Sequence, residues 1–135
     1  MSRLALVVAL FVTGCSGADL AGFAFPRYDA QGAAPAALNE GVLEERDGCL
    51  FLDGDAIWGL LWPRTYGLAR QAQGITVNDG ADVLAAVGSH VVVSGGELSG
   101  TSDARQLVDL LPTECETDVY WRVTSIKEGS IDLSQ

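Results

Sequence analysis

The chain has 135 residues, 48% of them apolar and 19% charged, a composition that excludes intrinsic disorder and fits one domain with its own core. Its 18 acidic residues outnumber 8 Lys and Arg, which gives a net charge of −10 with no basic stripe to offset it. Because such a surface repels phosphate backbones, we expect no nucleic-acid partner.

Residues 1–14 have the pattern of a bacterial signal peptide. Arg3 provides the positive charge, and the apolar run over residues 4–12 is too short for a bilayer span, which takes about 20 residues. The run leads into Val-Thr-Gly-Cys, ending at Cys15, and this resembles the lipobox of bacterial lipoproteins. The resemblance implies cleavage before Cys15 and its modification with diacylglycerol and a fatty acid such as palmitate. The alternative is a buried N-terminal strand or helix with an incidental Cys.

A lipidated Cys15 would hold the protein on the extracytoplasmic face of a membrane, in the periplasm or at the cell surface. Several acyl chains, at about 0.8 kcal/mol per buried methylene, make a firm anchor. Cleavage also removes Arg3 and no acid, which leaves 7 bases against 18 acids and a net charge of −11. Since this charge gives no attraction to anionic lipid, we expect attachment to depend on the lipid anchor itself.

The cysteines are odd in number, which needs an explanation in an exported protein. If Cys15 carries lipid, Cys49 and Cys115 remain as a natural pair, and an oxidising compartment favours a disulfide between them. Such a bridge closes a loop of about 66 residues, for which chain entropy gives roughly 4 kcal/mol of stabilisation. The alternatives are two free core thiols or a metal site. A metal site requires more Cys or His than a chain with the single His90 offers, so we expect no cofactor.

The mature sequence begins with a predicted tether. Residues 15–39 are rich in Ala and Gly and have no clean periodicity, which predicts a loosely structured segment that lifts the domain off the membrane. Within this segment, Leu20, Phe23 and Phe25 form a patch apolar enough to dock on the domain or on the bilayer.

Residues 40–127 are predicted to form one β domain, and residues 128–135 a polar tail. Short apolar runs alternate with turn pairs such as Asp47-Gly48. This spacing predicts a small all-β barrel or sandwich. The predicted strands cover residues 41–46, 49–52, 56–62, 74–78, 81–87, 90–94 and 118–126.

One short helix is predicted over residues 103–111, with Ser102 as its N-cap and Pro112 as its stop. Asp103 lies in the first turn, where a negative charge is favourable. The apolar residues of this segment fall on one face of the predicted helix: Leu107, Val108 and Leu111.

Several short motifs between residues 41 and 125 resemble a group of small exported bacterial domains that are often carried on lipoproteins. The group has Gly-Cys-Leu, aliphatic-Trp-Pro, Val-Gly before a strand that ends in paired glycines, and a late Cys shortly before Tyr-Trp. The resemblance implies a compact OB-like β-barrel with Cys49 bridged to Cys115, and it brings no assigned activity. The matching residues are Gly48-Cys49-Leu50, Leu61-Trp62-Pro63, Val87-Gly88, Gly95-Gly96, Cys115 and Tyr120-Trp121.

The sequence gives little support for catalysis. His90 is the single histidine, and no Gly-x-Ser-x-Gly nucleophile elbow is present. The acid pairs fall at predicted turns and strand ends, where Asp favours turn geometry and charge keeps strand edges soluble. Weak calcium binding at Asp53-Gly54-Asp55 or at the acids of residues 114–118 is left open. We therefore expect that the protein is not an enzyme.

Three tryptophans, Trp58, Trp62 and Trp121, are the candidate ligand platform. Aromatic rings could line a sugar- or peptide-binding face of an OB-type barrel, but a small barrel also needs large rings to fill its interior. Trp58 and Trp62 share one face of a predicted strand, and Trp121 lies on the opposite face from Tyr120, so one ring of that pair should be buried. Core filling is the favoured interpretation.

These observations predict a lipid-anchored, extracytoplasmic interaction or envelope module without catalytic activity, whose partner would be an envelope protein or a glycan. The alternative is a domain that binds a small molecule, glycan or peptide through exposed aromatic rings on the barrel.

Overall fold

The computed structural model describes residues 20–29 and 37–131, so the predicted signal peptide, Cys15 and residues 132–135 lie outside the described residues. Within these ranges the chain forms nine strands, one α-helix and one 3-10 turn. The strands are β1 (Arg27–Tyr28), β2 (Ala37–Arg46), β3 (Cys49–Asp53), β4 (Ile57–Pro63), β5 (Tyr66–Gln71), β6 (Gly74–Asp79), β7 (Asp82–Ala86), β8 (His90–Ser99) and β9 (Val119–Glu128). The helix is α1 (Thr101–Leu107), and the 3-10 turn is Thr113–Cys115.

Five of the strands close into a barrel in the order β2, β3, β4, β9, β8 and back to β2. Neighbouring strands are antiparallel except for β4 and β9, which run parallel from the pair Trp58–Val119 to the pair Leu61–Arg122. This parallel pair closes the ring. The predicted all-β barrel with one short helix is confirmed, and its five-stranded ring is that of an OB-like barrel.

Side chains alternate between the two faces of each barrel strand, as the period of two requires. On β4, Trp58, Leu60 and Trp62 belong to the interior core, whereas Leu61 belongs to a second cluster on the outside. The barrel therefore has a packed interior. Inward residues of the other barrel strands complete it: Leu43, Leu50, Leu52, Val91, Val93, Trp121, Val123 and Ile126.

Strands β5, β6 and β7, which follow β4 and precede β8 in the sequence, form a separate antiparallel sheet. Their buried side chains join the interior core, and Gly88 N–H donates a hydrogen bond to the Leu43 carbonyl, so this sheet is bound to the barrel. Strand β5 was not predicted because Gly67 and Ala69 give it a low β propensity. The core residues of this sheet are Tyr66, Leu68, Val77 and Ala85.

Residues 20–29 lie against the barrel, which shows that the prediction of a loose tether is wrong for this part. Ala24 N–H donates to the Gly48 carbonyl at 2.8 Å, and Trp62 N–H donates to the Pro26 carbonyl at 2.9 Å. The segment thus bonds both to the start of β3 and to the end of β4. Phe25 is buried and stacks on Trp62 with 5.0 Å between ring centroids. Apolar burial and backbone pairing outweigh the Ala- and Gly-rich composition here.

The predicted domain boundaries need two further corrections. Barrel strand β2 begins at residue 37 and not at 40, because its first residues pair with β8. At the other end β9 includes Glu128, and Gly129 N–H donates to the His90 carbonyl at 2.9 Å, so the predicted polar tail begins later than residue 128.

Strand β8 continues through the paired glycines at which it was predicted to end. The pairing of β8 with β9 shifts register between Ser94 and Gly95, which is a β-bulge. Gly95 has φ +148, and a Cβ there would lie 1.8 Å from the Arg122 carbonyl oxygen. Glycine at this position therefore lets two backbones approach closely inside a strand, and it does not mark a turn.

The helix is shorter than predicted, and its cap is different. It covers Thr101–Leu107, Gly100 is the N-cap residue, and no side chain caps it, so the predicted Ser102 cap is wrong. Val108 has an extended backbone, and the chain leaves the helix there. Val108 and Leu111 are both buried against the barrel from this non-helical segment, so packing ends the helix at Leu107, before Pro112 is reached.

Candidate functional site

The three candidate platform tryptophans lie inside the barrel. Trp58, Trp62 and Trp121 are 7%, 0% and 5% exposed, and Trp58 meets Trp121 edge to face at 5.5 Å between centroids. Trp58 Nε1 donates to Asp55 Oδ1 at 2.9 Å, while the indole N–H groups of the other two have no partner among the described residues. These three rings fill the core and therefore do not form an exposed aromatic platform.

The predicted cysteine pair forms a disulfide. Cys49 and Cys115 have an S–S distance of 2.00 Å and a Cα–Cα distance of 5.4 Å, and both residues are buried. The bridge joins β3 to the 3-10 turn that follows α1. It therefore fastens the segment between β8 and β9 to the opposite side of the barrel ring.

That segment covers the outer face of the second and third barrel strands. In OB-type barrels this face is where oligonucleotides and oligosaccharides bind. Here it is buried under α1 and the residues after it, and Thr117 Oγ1 donates to the Ile57 carbonyl at 3.2 Å. The chain itself therefore occupies the face that an OB-type ligand would use. The side chains buried between this face and its cover form a second hydrophobic cluster, which comprises Tyr28, Cys49, Phe51, Leu61, Ala104, Val108, Leu111, Cys115 and Tyr120.

The single histidine contacts an acid and the C-terminal end of the described chain. His90 Nδ1 lies 2.8 Å from the Gly129 carbonyl oxygen, and its Nε2 lies 3.7 Å from Glu40 Oε1. Glu40 Oε1 also accepts the Ile131 N–H at 3.2 Å. The neighbouring Ser89 Oγ binds Glu128 Oε2 at 3.1 Å and not the histidine. The arrangement secures residues 129–131, and its serine is not bonded to the imidazole as a nucleophile would be.

The acids of the β2–β3 hairpin form an exposed ion-pair cluster. Arg46 Nε donates to Glu44 Oε1 at 2.6 Å, and its Nη2 lies 3.5 Å from Asp53 Oδ2. The hydrogen bond from Arg46 lowers the pKa of Glu44, whereas the hydrogen bond to Glu44 raises the pKa of Asp53. Exposed pairs of this kind contribute little to stability. In the part of the chain described, no three His, Cys, Asp or Glu residues are grouped to hold a metal ion.

A surface groove is formed by residues from two distant parts of the chain. It lies between residues 23–27 and residues 109–112 and has a volume of about 410 Å³. Leu110 on its wall is 70% exposed. Sequence reasoning missed this feature because its walls are far apart in the chain. The available signal was the pair Leu110-Leu111 before a proline, since only one of two successive residues in an extended segment can face the core.

Arg64 ties the two walls of the groove together at the surface. It forms ion pairs with Asp29 and with Asp109, the second at 2.9 Å. The hydrogen bonds to Asp109 and then to Asp29 raise the pKa of Arg64 above its ordinary value. One guanidinium thus pairs with Asp109 on one wall and with Asp29, two residues beyond the other wall.

No family model, no curated protein and no solved structure matches this chain. The resemblance of its motifs to small exported domains therefore stays a prediction. Over residues 20–29 and 37–131, no helix has both the length and the apolar character needed to cross a membrane.

Proposed function

We propose that this protein is a lipid-anchored module of the bacterial envelope, attached through Cys15 on the extracytoplasmic side of a membrane and without catalytic activity. The observation that carries the proposal is the disulfide between Cys49 and Cys115. It is the bridge that an oxidising compartment favours, and it accounts for two of three cysteines. The third, Cys15, is then the residue at the end of the lipobox-like sequence.

The described surface supports a role in interaction more than one in chemistry. The outer barrel face that could bind a ligand is filled by α1 and the 3-10 turn, and the large aromatic rings lie in the core. His90 binds backbone and Glu40 and lacks a bonded nucleophile. An anchored barrel with a closed ligand face would act through its outer surface on an envelope protein or glycan.

Replacing the anchor residue tests this proposal. In a bacterial host, the Cys15→Ala chain is expected to lose incorporation of labelled fatty acid and to leave the membrane fraction. A matched control is Ser16→Ala, which changes the next residue and should keep both properties. The measurement is fatty-acid labelling combined with membrane flotation. Membrane attachment of the Cys15→Ala chain at the level of the control would contradict the proposal.

A further inference from the structure

We infer that the groove face, formed by residues 23–27 and 109–112, lies against the lipid bilayer. This inference rests on the proposed anchor at Cys15 and adds an orientation to it. The occupant of the groove face is then the interfacial region of the membrane, into which apolar side chains insert by about 5–10 Å. Three independent features of the chain support the assignment.

The first feature is the short length of chain between the anchor and the fold. Cys15 precedes Leu20 by five residues, and one residue spans at most about 3.6 Å, so their Cα atoms lie within roughly 18 Å. Leu20 and Phe23 pack against the barrel core, and the Leu20 carbonyl accepts the Phe23 N–H at 3.0 Å. Phe23 in turn lines the groove. The proposed anchor therefore connects to the folded domain through the segment that forms one wall of the groove.

The second feature is the exposed apolar surface at this place. Leu110 is 70% exposed and is the most exposed of the large apolar side chains described. It stands on the groove wall opposite the partly buried Phe23, next to Pro112. A single exposed leucine is unremarkable on a protein surface. Here it stands at the rim of a groove that both apolar and charged side chains line, within reach of the proposed lipid attachment point.

The third feature is the charge of the groove face. Arg27 and Arg64 stand at the groove, and Arg64 forms ion pairs with Asp29 and Asp109. Among the described residues that line the groove, two are arginines and one, Asp109, is an acid, in a chain where acids outnumber bases by ten. The groove lining therefore lacks the acidic excess of the whole chain, and we expect it to be repelled less by anionic headgroups.

A tryptophan placed at Leu110 tests the orientation. The lipidated full chain carrying Leu110→Trp is reconstituted in vesicles of phosphatidylethanolamine and phosphatidylglycerol, with brominated lipids as the quencher. We expect its added fluorescence to be quenched about two-fold or more beyond that of a matched Val83→Trp chain, because the probe inserts to interfacial depth. Val83 is also exposed, but it lies on β7 and does not line the groove.

Flotation of the same vesicles separates the two possible failures. Chains that float while Leu110→Trp is quenched no more than Val83→Trp would overturn the orientation and leave the anchor intact. A blue shift of Leu110→Trp that is independent of brominated lipid would mean that a second copy or another protein covers the groove, and it would also overturn the orientation. Chains that do not float would overturn the anchor and, with it, this inference. Each variant is first checked for an intact disulfide and an unchanged melting temperature.

Discussion

Removing the Cys49–Cys115 disulfide is expected to lower the free energy of unfolding by about 4 kcal/mol, because the bridge closes a long loop in the unfolded chain. The two residues are separated by 66 positions, and both are buried. The comparison places Cys49→Ala/Cys115→Ala in a Cys15→Ala background and measures both chains by urea unfolding. The Cys15→Ala chain is the control, since it lacks the Cys15 thiol but keeps the Cys49–Cys115 bridge.

Removal of the bridge is also expected to change hydrogen exchange locally. The bridge holds the 3-10 turn Thr113–Cys115 onto β3, and that turn and α1 cover the outer barrel face. In the chain without the bridge, the amide hydrogens of residues 100–117 should exchange faster than they do in the control chain. The increase should be larger there than in barrel strand β8. A stability loss below about 1 kcal/mol, with uniform exchange, would contradict this role of the bridge.

A chain that begins at residue 30 is expected to be largely unfolded, whereas a chain that begins at Leu20 should keep the stability of the longer chain. The difference is the segment that carries Phe25 and Tyr28, both of which are buried. Losing one buried Phe costs about 3–5 kcal/mol, against a total of roughly 5–15 kcal/mol for a typical domain. The backbone bond from Trp62 N–H to the Pro26 carbonyl would be lost as well.

Point variants give the same test without changing the chain ends. Phe25→Ala should destabilise by about 3–5 kcal/mol, because its ring is buried and stacks on Trp62. The matched variant Phe23→Ala should cost clearly less, since Phe23 is only partly buried. Thermal unfolding of both variants and both truncations measures these effects. Equal midpoints for the chains beginning at residues 20 and 30 would show that the segment is only an attachment and not part of the fold.

The sequence was most informative where turn chemistry and alternation act locally. The pair Asp47-Gly48 was predicted as a tight hairpin turn, and both residues have positive φ, at 53 and 84, as such a turn requires. The even spacing of Trp58 and Trp62 predicted that they share one face of β4, and both lie in the barrel interior. The cysteine pairing was predicted from the odd number of cysteines and from the compartment that the predicted signal peptide implies, not from any local pattern.

The errors arose where distant contacts decide the local structure. Residues 20–29 have a tether-like composition, yet backbone bonds to Gly48 and Trp62 hold them in place. Gly95 was predicted to end a strand, because a β-bulge and a turn both favour glycine. Only the close approach of the Arg122 carbonyl in the folded protein shows that this glycine belongs to a bulge. The groove could not be predicted either, since it exists only when residues 23–27 and 109–112 meet on the folded barrel.

The intact mass of the protein extracted from the membranes of its native host, with and without reductant, tests the central proposal most directly. We predict a chain that begins at Cys15, carries added acyl mass, and gains the two hydrogens of its one described disulfide when it is reduced. An unmodified full-length mass, recovered from the soluble fraction, would contradict the lipid anchor, the extracytoplasmic location and the orientation that depends on them.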